Sequence, residues 1–198
     1  RANVYPTREY LARGLGEGVP KGCRHCPAEW ETCAHIISYC PAVQDARIRR
    51  HNVLCGLLAE EAKKLGWEIF IEPHLRGQDN EFLKPDLIVV KEGRARVVDV
   101  TVRFESNLST LGDAAGEKVR KYQHLDEQVR SLTRAGEVQF LGFPLGARGK
   151  WYAGNDTLLA DLGLSGSRMK KIARLFSRRA LLSSVDILHI FASKGKMC

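Results

Sequence analysis

Long apolar runs are missing from this sequence. No stretch reaches the roughly 18 consecutive apolar residues that a membrane-spanning helix needs, and no basic-then-apolar leader of the secretory kind opens the chain. The expectation is a protein with no membrane partner. An initiator methionine is absent as well, which suggests a piece of a longer protein. There is no internal repeat and no low-complexity tract, so repeat architectures and general disorder are set aside. Acidic residues are scarce in one place. Residues 1–147 carry 21 Lys and Arg against 20 Asp and Glu, whereas residues 148–198 carry 10 against 3. A basic block of this kind suits a polyanion, most often nucleic acid, and equally suits a solvated surface.

What is present reads as an α/β chain with enough apolar residues, 44% of 198, to fill a core. Residues 1–20 hold clustered glycines and read as a linker with one helical turn around Arg8 to Arg13. A Cys/His segment follows at 21–44. Pro41 opens a helical pattern that runs through Leu65 and stops at Gly66. Strand patterns cover 67–72, 83–90 and 95–103, a helix covers 113–134, and a strand from Glu137 to Phe143 is closed by Pro144. A last helix begins near Ser167, capped by Ser165 or Ser167, and the apolar run ALLSSVDILHIFA ends the chain. This order predicts a mixed sheet flanked by helices.

Four residues fall in the arrangement Cys23-x2-Cys26-x8-His35-x4-Cys40. Cys-x2-Cys bends back to present two thiolates to one ion, and His35 with Cys40 supplies the opposite edge of a tetrahedron. Zinc suits that donor set, and four protein ligands leave no open position, so the site is expected to be structural. Cys33 could replace Cys26 or Cys40, and buried reduced cysteines are the plainer alternative.

Two aspartates sit inside strand-like runs in LKPDLIVVKEGRARVVDVTV. If Glu92 and Gly93 make a two-residue hairpin loop, Lys91 faces Arg94 and counting back along both strands brings Asp86 opposite Asp99. Directly opposed side chains lie roughly 4.5–5.5 Å apart at Cβ, and like charges there repel. A shared proton, a cation or a metal must offset the repulsion. An opposed carboxylate pair suits Mg²⁺ (or Mn²⁺), which keeps waters for substrate phosphates. Helical faces add candidates. Glu61 shares a face with Leu54, Leu58 and Leu65, and Lys118 projects from the apolar stripe of the 113–134 helix with Lys121 at its margin. Lys118 either meets the carboxylates or snorkels to solvent. Lys170, Arg174 and Arg178 recur every fourth residue, opposite Met169, Ile172 and Phe176, as a helix lying along a phosphate backbone would need.

Taken together, CRHC…ETCAHIISYC, RIRRHN, EP, KPDLIVV, VVDVTV and EKVRKY, over about residues 20 to 125, resemble the C-terminal part of site-specific non-LTR retrotransposon proteins. The likeness is greatest to the R-two group, which inserts into ribosomal RNA genes. It implies a CCHC zinc knuckle at 21–44 before a restriction-enzyme-like endonuclease of the PD-(D/E)xK superfamily at 45–198, downstream of a reverse transcriptase. Such an enzyme nicks double-stranded target DNA so that the freed 3′ hydroxyl primes reverse transcription, with the element RNA as a further partner and the nucleus as its location. By this resemblance Asp86 is the aspartate of the PD motif and Asp99 the second acidic residue. Thr101 stands where many of these enzymes carry lysine, which implies that Lys118 or Lys121 has taken over the role. Glu61 would support the metal, and Arg50 and His51 would contact DNA or make structural hydrogen bonds. The competing reading is a binding module that grips DNA or RNA without cutting, and another nuclease of the same fold is a third.

Overall fold

The computed structural model describes residues 5–15, 18–77 and 81–194. From the N-terminus come helix α1 (Arg8–Leu15), the short helix α2 (Cys33–Ser38) and, after a 3-10 turn over Pro41–Val43, the long helix α3 (Gln44–Lys64). Strand β1 (Glu68–Ile71) and a small hairpin of β2 (Leu75–Arg76) with β3 (Phe82–Leu83) lead into β4 (Leu87–Lys91) and β5 (Arg94–Arg103). Helices α4 (Thr110–Tyr122) and α5 (Asp126–Thr133) cross over to β6 (Glu137–Gly146), and α6 (Asn155–Asp161) and α7 (Gly166–Ser193) follow. Among the described residues no helix is long and apolar enough to cross a membrane.

The main sheet has the order β1-β4-β5-β6, with β1, β4 and β5 antiparallel and β6 parallel to β5. It is a mixed sheet with helices on both faces. Alternation along β5 divides the core. Val98 and Val100 face Leu54 and Leu58 of α3 and Phe176 of α7, while Ala95 and Val97 face Tyr122, Leu125 and Val129 on the α4 and α5 side. A third cluster joins Ile36, Ile37 and Val43 of the Cys/His segment to Ile187, Leu188 and Phe191 of α7.

The β4-β5 turn is the two-residue loop expected. Lys91 pairs with Arg94, and Glu92 and Gly93 both have positive φ, 51° and 72°, as a hairpin turn of type I′ requires. Other expectations need correction. The 113–134 helix is broken by a 3-10 turn over Gln123–Leu125, which lets Tyr122 and Leu125 both reach the core. Strand β6 runs through Pro144 to Gly146. Proline is tolerated there because β6 is an edge strand. The Pro144 carbonyl accepts a bond from Asn155 Nδ2, 2.9 Å, on the side away from β5. The pattern near Ser167 and the final apolar run form one 28-residue helix, α7, capped by Ser165. Hairpin β2-β3 and helix α6 were not anticipated.

One glycine fixes the height of α4 above the sheet. Gly142 of β6 pairs with Asp99, and a Cβ added to it would lie 2.6 Å from both the Cα and the carbonyl oxygen of Ala115 in α4. Backbone therefore rests on backbone, and α4 comes close enough for its side chains to reach β5. Gly142→Ala is predicted to destabilise the fold by about 1–3 kcal/mol in urea unfolding. Ala115→Gly should not rescue it, because the atoms in conflict belong to the backbone. Unchanged stability of Gly142→Ala would contradict this account of the packing.

Candidate functional site

The Cys/His segment brings its four donors together. The ligand atoms of Cys23, Cys26, His35 and Cys40 all lie within 4.8 Å of one another. Cys23 Sγ is 3.9 Å from Cys40 Sγ, and Cys26 Sγ is 3.3 Å from His35 Nε2. A tetrahedral zinc ion with ordinary bond lengths has S···S edges of about 3.8 Å and S···N edges of about 3.5 Å. The set could therefore hold a zinc ion. Thr32 caps α2 by accepting from the His35 amide at 3.0 Å, which fixes the turn that carries the imidazole. Buried Glu31 ties the loop down, accepting from the Arg8 and Arg24 amides at 2.9 and 3.0 Å. Burial pushes the Cys23 thiol up to about 12, raises Cys40 and lowers His35. Without a cation the Cys23 and Cys40 thiols stay protonated and His35 neutral, and a bound ion is what would draw off the thiol protons. Cys33 is not among the donors, since it begins α2 and is buried in the apolar cluster against α7. One tightly held zinc per chain is expected by metal analysis, lost in Cys26→Ser and kept in Cys33→Ser. The reverse pattern would overturn the ligand assignment.

Asp86 and Asp99 line one cleft of about 370 Å³ at an end of the sheet. Leu87 pairs with Val98, so the next pair outward in that register is Asp86 and Asp99. Asp99 is buried, on the same face of β5 as Val97, and therefore turns toward α4. Lys118 Nζ meets its Oδ1 at 2.8 Å, an ion pair made possible by the close approach at Gly142. Asp86 is fixed by two bonds. Its Oδ2 accepts from the Val100 amide at 2.6 Å, and its Oδ1 lies 3.0 Å from His51 Nε2. Cations crowd the rest of the lining, which includes Arg47, Arg50, Lys84 and Lys121. Two carboxylates among so many cations make a pocket that favours an anionic ligand and leaves hard oxygen donors at its centre.

The other expected residues are placed differently. Lys121 lines the cleft but lies over the Tyr122 ring, 4.8 Å from its centroid, so Lys118 is the lysine in contact with a carboxylate. Glu61 does not join the group. It stands ten residues beyond His51 on α3, about 15 Å along the axis, and its carboxylate is taken by Arg168 at 2.8 Å and Lys64 at 2.8 Å. Arg50 is 5% exposed and donates to Ser184 Oγ at 2.9 Å and to the Ile37 carbonyl. Burial lowers its pKa to about 10, helped by Arg47. It holds the Cys/His segment against α7 more than it faces a ligand. His51 lines the cleft and makes a hydrogen bond with Asp86, one of the two roles expected for it. Lys170, Arg174 and Arg178 lie exposed on α7, away from the cleft lining, with Ile172 and Phe176 buried opposite them. Arg47, Lys84 and Tyr122 were not anticipated. A signal for Arg47 existed, because it sits four residues before His51 on the same face of α3.

The hydrogen bond with Asp86 raises the His51 pKa, against a smaller lowering by burial. The charged pair therefore stabilises the metal-free fold fully below the ordinary imidazole value of about 6.5, and this is lost as pH rises through the raised value. In an NMR titration of metal-free protein, Asp86→Asn should shift the His51 midpoint downward. An unmoved midpoint would contradict the pairing.

This is a mixed α/β chain whose Cys/His set could hold zinc and whose cleft joins two carboxylates to a lysine, and its similarity to known proteins lies with mobile elements. No family model matches the chain. It is 34% identical over 154 residues to a retrovirus-related Pol polyprotein from type-1 retrotransposable element R2 of Popillia japonica, covering 76% of this chain and 21% of the relative. A second such polyprotein from Popillia japonica is 32% identical over 169 residues, covering 83% of this chain and 34% of the relative. The R2 polyprotein of Bradysia coprophila is 30% identical over 185 residues, covering 93% of this chain and 21% of the relative. The chain thus spans about a fifth to a third of the length of these curated relatives. Its homologues are R2 element Pol polyproteins, which supports an R2-like non-LTR element protein.

Proposed function

We propose that this chain is a Mg²⁺-dependent DNA endonuclease of the PD-(D/E)xK type, joined to a structural zinc knuckle, within an R2-like Pol polyprotein. The observation that carries the reading is the 2.8 Å contact of Lys118 with Asp99 in the cleft that Asp86 shares. A binding module gains nothing from two carboxylates and a half-buried lysine in one cleft, whereas phosphodiester hydrolysis uses all three. Asp86, from the Pro85-Asp86 step, and Asp99 would hold the ion, which when bound supplies Lewis acidity and a more acidic water. Lys118, delivered by α4, takes the place that Thr101 leaves empty of charge. Its ammonium offsets negative charge on the phosphate in the transition state and orients the attacking water. His51 positions Asp86 through the 3.0 Å contact, and Lys84, Lys121 and Arg47 neutralise neighbouring phosphates.

In this reading residues 1–20 are a connector, 21–44 the knuckle and 45–198 the nuclease. The exposed row of Lys170, Arg174 and Arg178 grips duplex DNA backbone outside the cleft. The similarity to Pol polyproteins of element R2 fits the resemblance of the motifs to the R-two group, and on that resemblance the target is a ribosomal RNA gene, the second nucleic acid is the element RNA, and a reverse transcriptase lies earlier in the same polyprotein. The reaction is then the nick that primes reverse transcription, in the nucleus.

Nicking of supercoiled plasmid tests the proposal. The wild type should nick with Mg²⁺ or Mn²⁺ and stop with EDTA, and Asp86→Ala should be inactive. Lys118→Ala should lower the rate about 10²–10³-fold with little change in DNA affinity. DNA binding without metal-dependent nicking by the wild type would favour the binding module. Full activity in Lys118→Ala would remove the lysine from the mechanism.

A further inference from the structure

A set of softer donors lies behind the cleft. His51 and Cys55 are one turn apart on α3, and Asp86 comes from the chain entering β4. Their ligand atoms all lie within 4.8 Å of one another. Cys55 Sγ is 3.4 Å from His51 Nε2, and Asp86 Oδ1 is 3.0 Å from the same nitrogen. Tetrahedral zinc calls for S···N edges of about 3.5 Å and N···O edges of about 3.3 Å. Both edges lie within about 0.3 Å of those values. The three residues line a second cavity of about 300 Å³, on the other side of Asp86 from the polar cleft, and both Asp86 and His51 belong to both linings. Gly56, next to Cys55, has open space where a Cβ would stand, so water and ions can enter.

We propose that His51, Cys55 and Asp86 form a second zinc site whose loading withdraws Asp86 from the polar cleft. The donor chemistry separates the two cavities. A thiolate and an imidazole select a borderline-soft ion such as Zn²⁺, while Mg²⁺ takes oxygen donors and has no use for Cys55. On binding, the Cys55 thiol proton leaves to solvent and a water from the cavity completes the coordination. With one thiolate and three protein ligands, against three thiolates and four ligands in the knuckle, this site fills second. The site itself stands on these three residues. Its effect on cleavage rests on the function proposed above.

The test uses the full chain with the knuckle already loaded, and Zn²⁺ or Co²⁺ alone as the probe. Equilibrium dialysis should give two zinc per wild-type chain and one per Cys55→Ser chain, and a second equivalent of Co²⁺ should add thiolate charge-transfer absorption that Cys55→Ser lacks. Asp86→Asn, which removes a ligand from the opposite side, is read in parallel with circular dichroism. A folding defect in one variant then cannot decide the result. At zinc about ten times the Kd of the second site, mass action leaves about one chain in eleven free. The wild-type nicking rate should fall about ten-fold, and that of Cys55→Ser should not fall against its own rate without added zinc. One zinc in every chain, or two in every chain, would overturn the site. Two zinc in the wild type with an unchanged nicking rate would overturn the withdrawal of Asp86. Absence of nicking by any chain would instead count against the nuclease reading, with the binding result still decisive for the site.

Discussion

Two carboxylates at the end of neighbouring strands repel each other, and much of this structure is arranged around that repulsion. Asp99 is offset by Lys118 at 2.8 Å, and Asp86 by the Val100 amide and His51. Each counterweight depends on a backbone decision elsewhere. Lys118 reaches Asp99 because Gly142 lets α4 settle onto β6 with no side chain between them. His51 reaches Asp86 because the first turns of α3 run past the chain entering β4. With each carboxylate held by a protein partner, the cleft keeps hard oxygen donors in fixed positions, as a divalent ion requires.

The Cys/His segment and the cleft are mechanically joined. Arg47 lines the cleft and donates to the carbonyl of Cys40, one of the four Cys/His donors, while Arg50 lines the same cleft and donates to the Ile37 carbonyl and to Ser184 of α7. His25 adds an edge-on contact with the Phe191 ring and lies 3.0 Å from the Phe191 carbonyl. The knuckle is thus braced by α3 on one side and by the end of α7 on the other. An ion bound by the four donors would order this loop and help set the entry of α3, and with it the position of His51.

Local chemistry made part of this legible from sequence. The Glu92-Gly93 turn fixed the hairpin register, and hence the pairing of the aspartates, because a two-residue loop leaves no freedom in the count. Alternation along β5 and periodicity along α4 put Asp99 and Lys118 on facing surfaces, and the ion pair followed. Glu61 shows the limit of the same method. A helical face gives the angle around an axis and says nothing of height along it, and α3 is 21 residues long, about 30 Å. Glu61 therefore shares a face with core leucines yet sits far down the helix, paired with Arg168 from a segment 107 residues away. Arg50 was opaque for a related reason, since its partner Ser184 is 134 residues distant. Helix α6 and the hairpin β2-β3 are short elements set by tertiary packing, too brief to impose a period of their own.

The central claim is that Asp86 and Asp99 jointly bind a hard divalent ion. Mn²⁺ binding to the chain carrying one equivalent of zinc, at Cys23, Cys26, His35 and Cys40 only, followed by electron paramagnetic resonance, addresses it without requiring DNA or turnover. The account predicts a bound Mn²⁺ in the wild type that Mg²⁺ displaces and that the Asp86→Asn, Asp99→Asn double variant loses. Undiminished binding in the double variant, or none in the wild type, would contradict it.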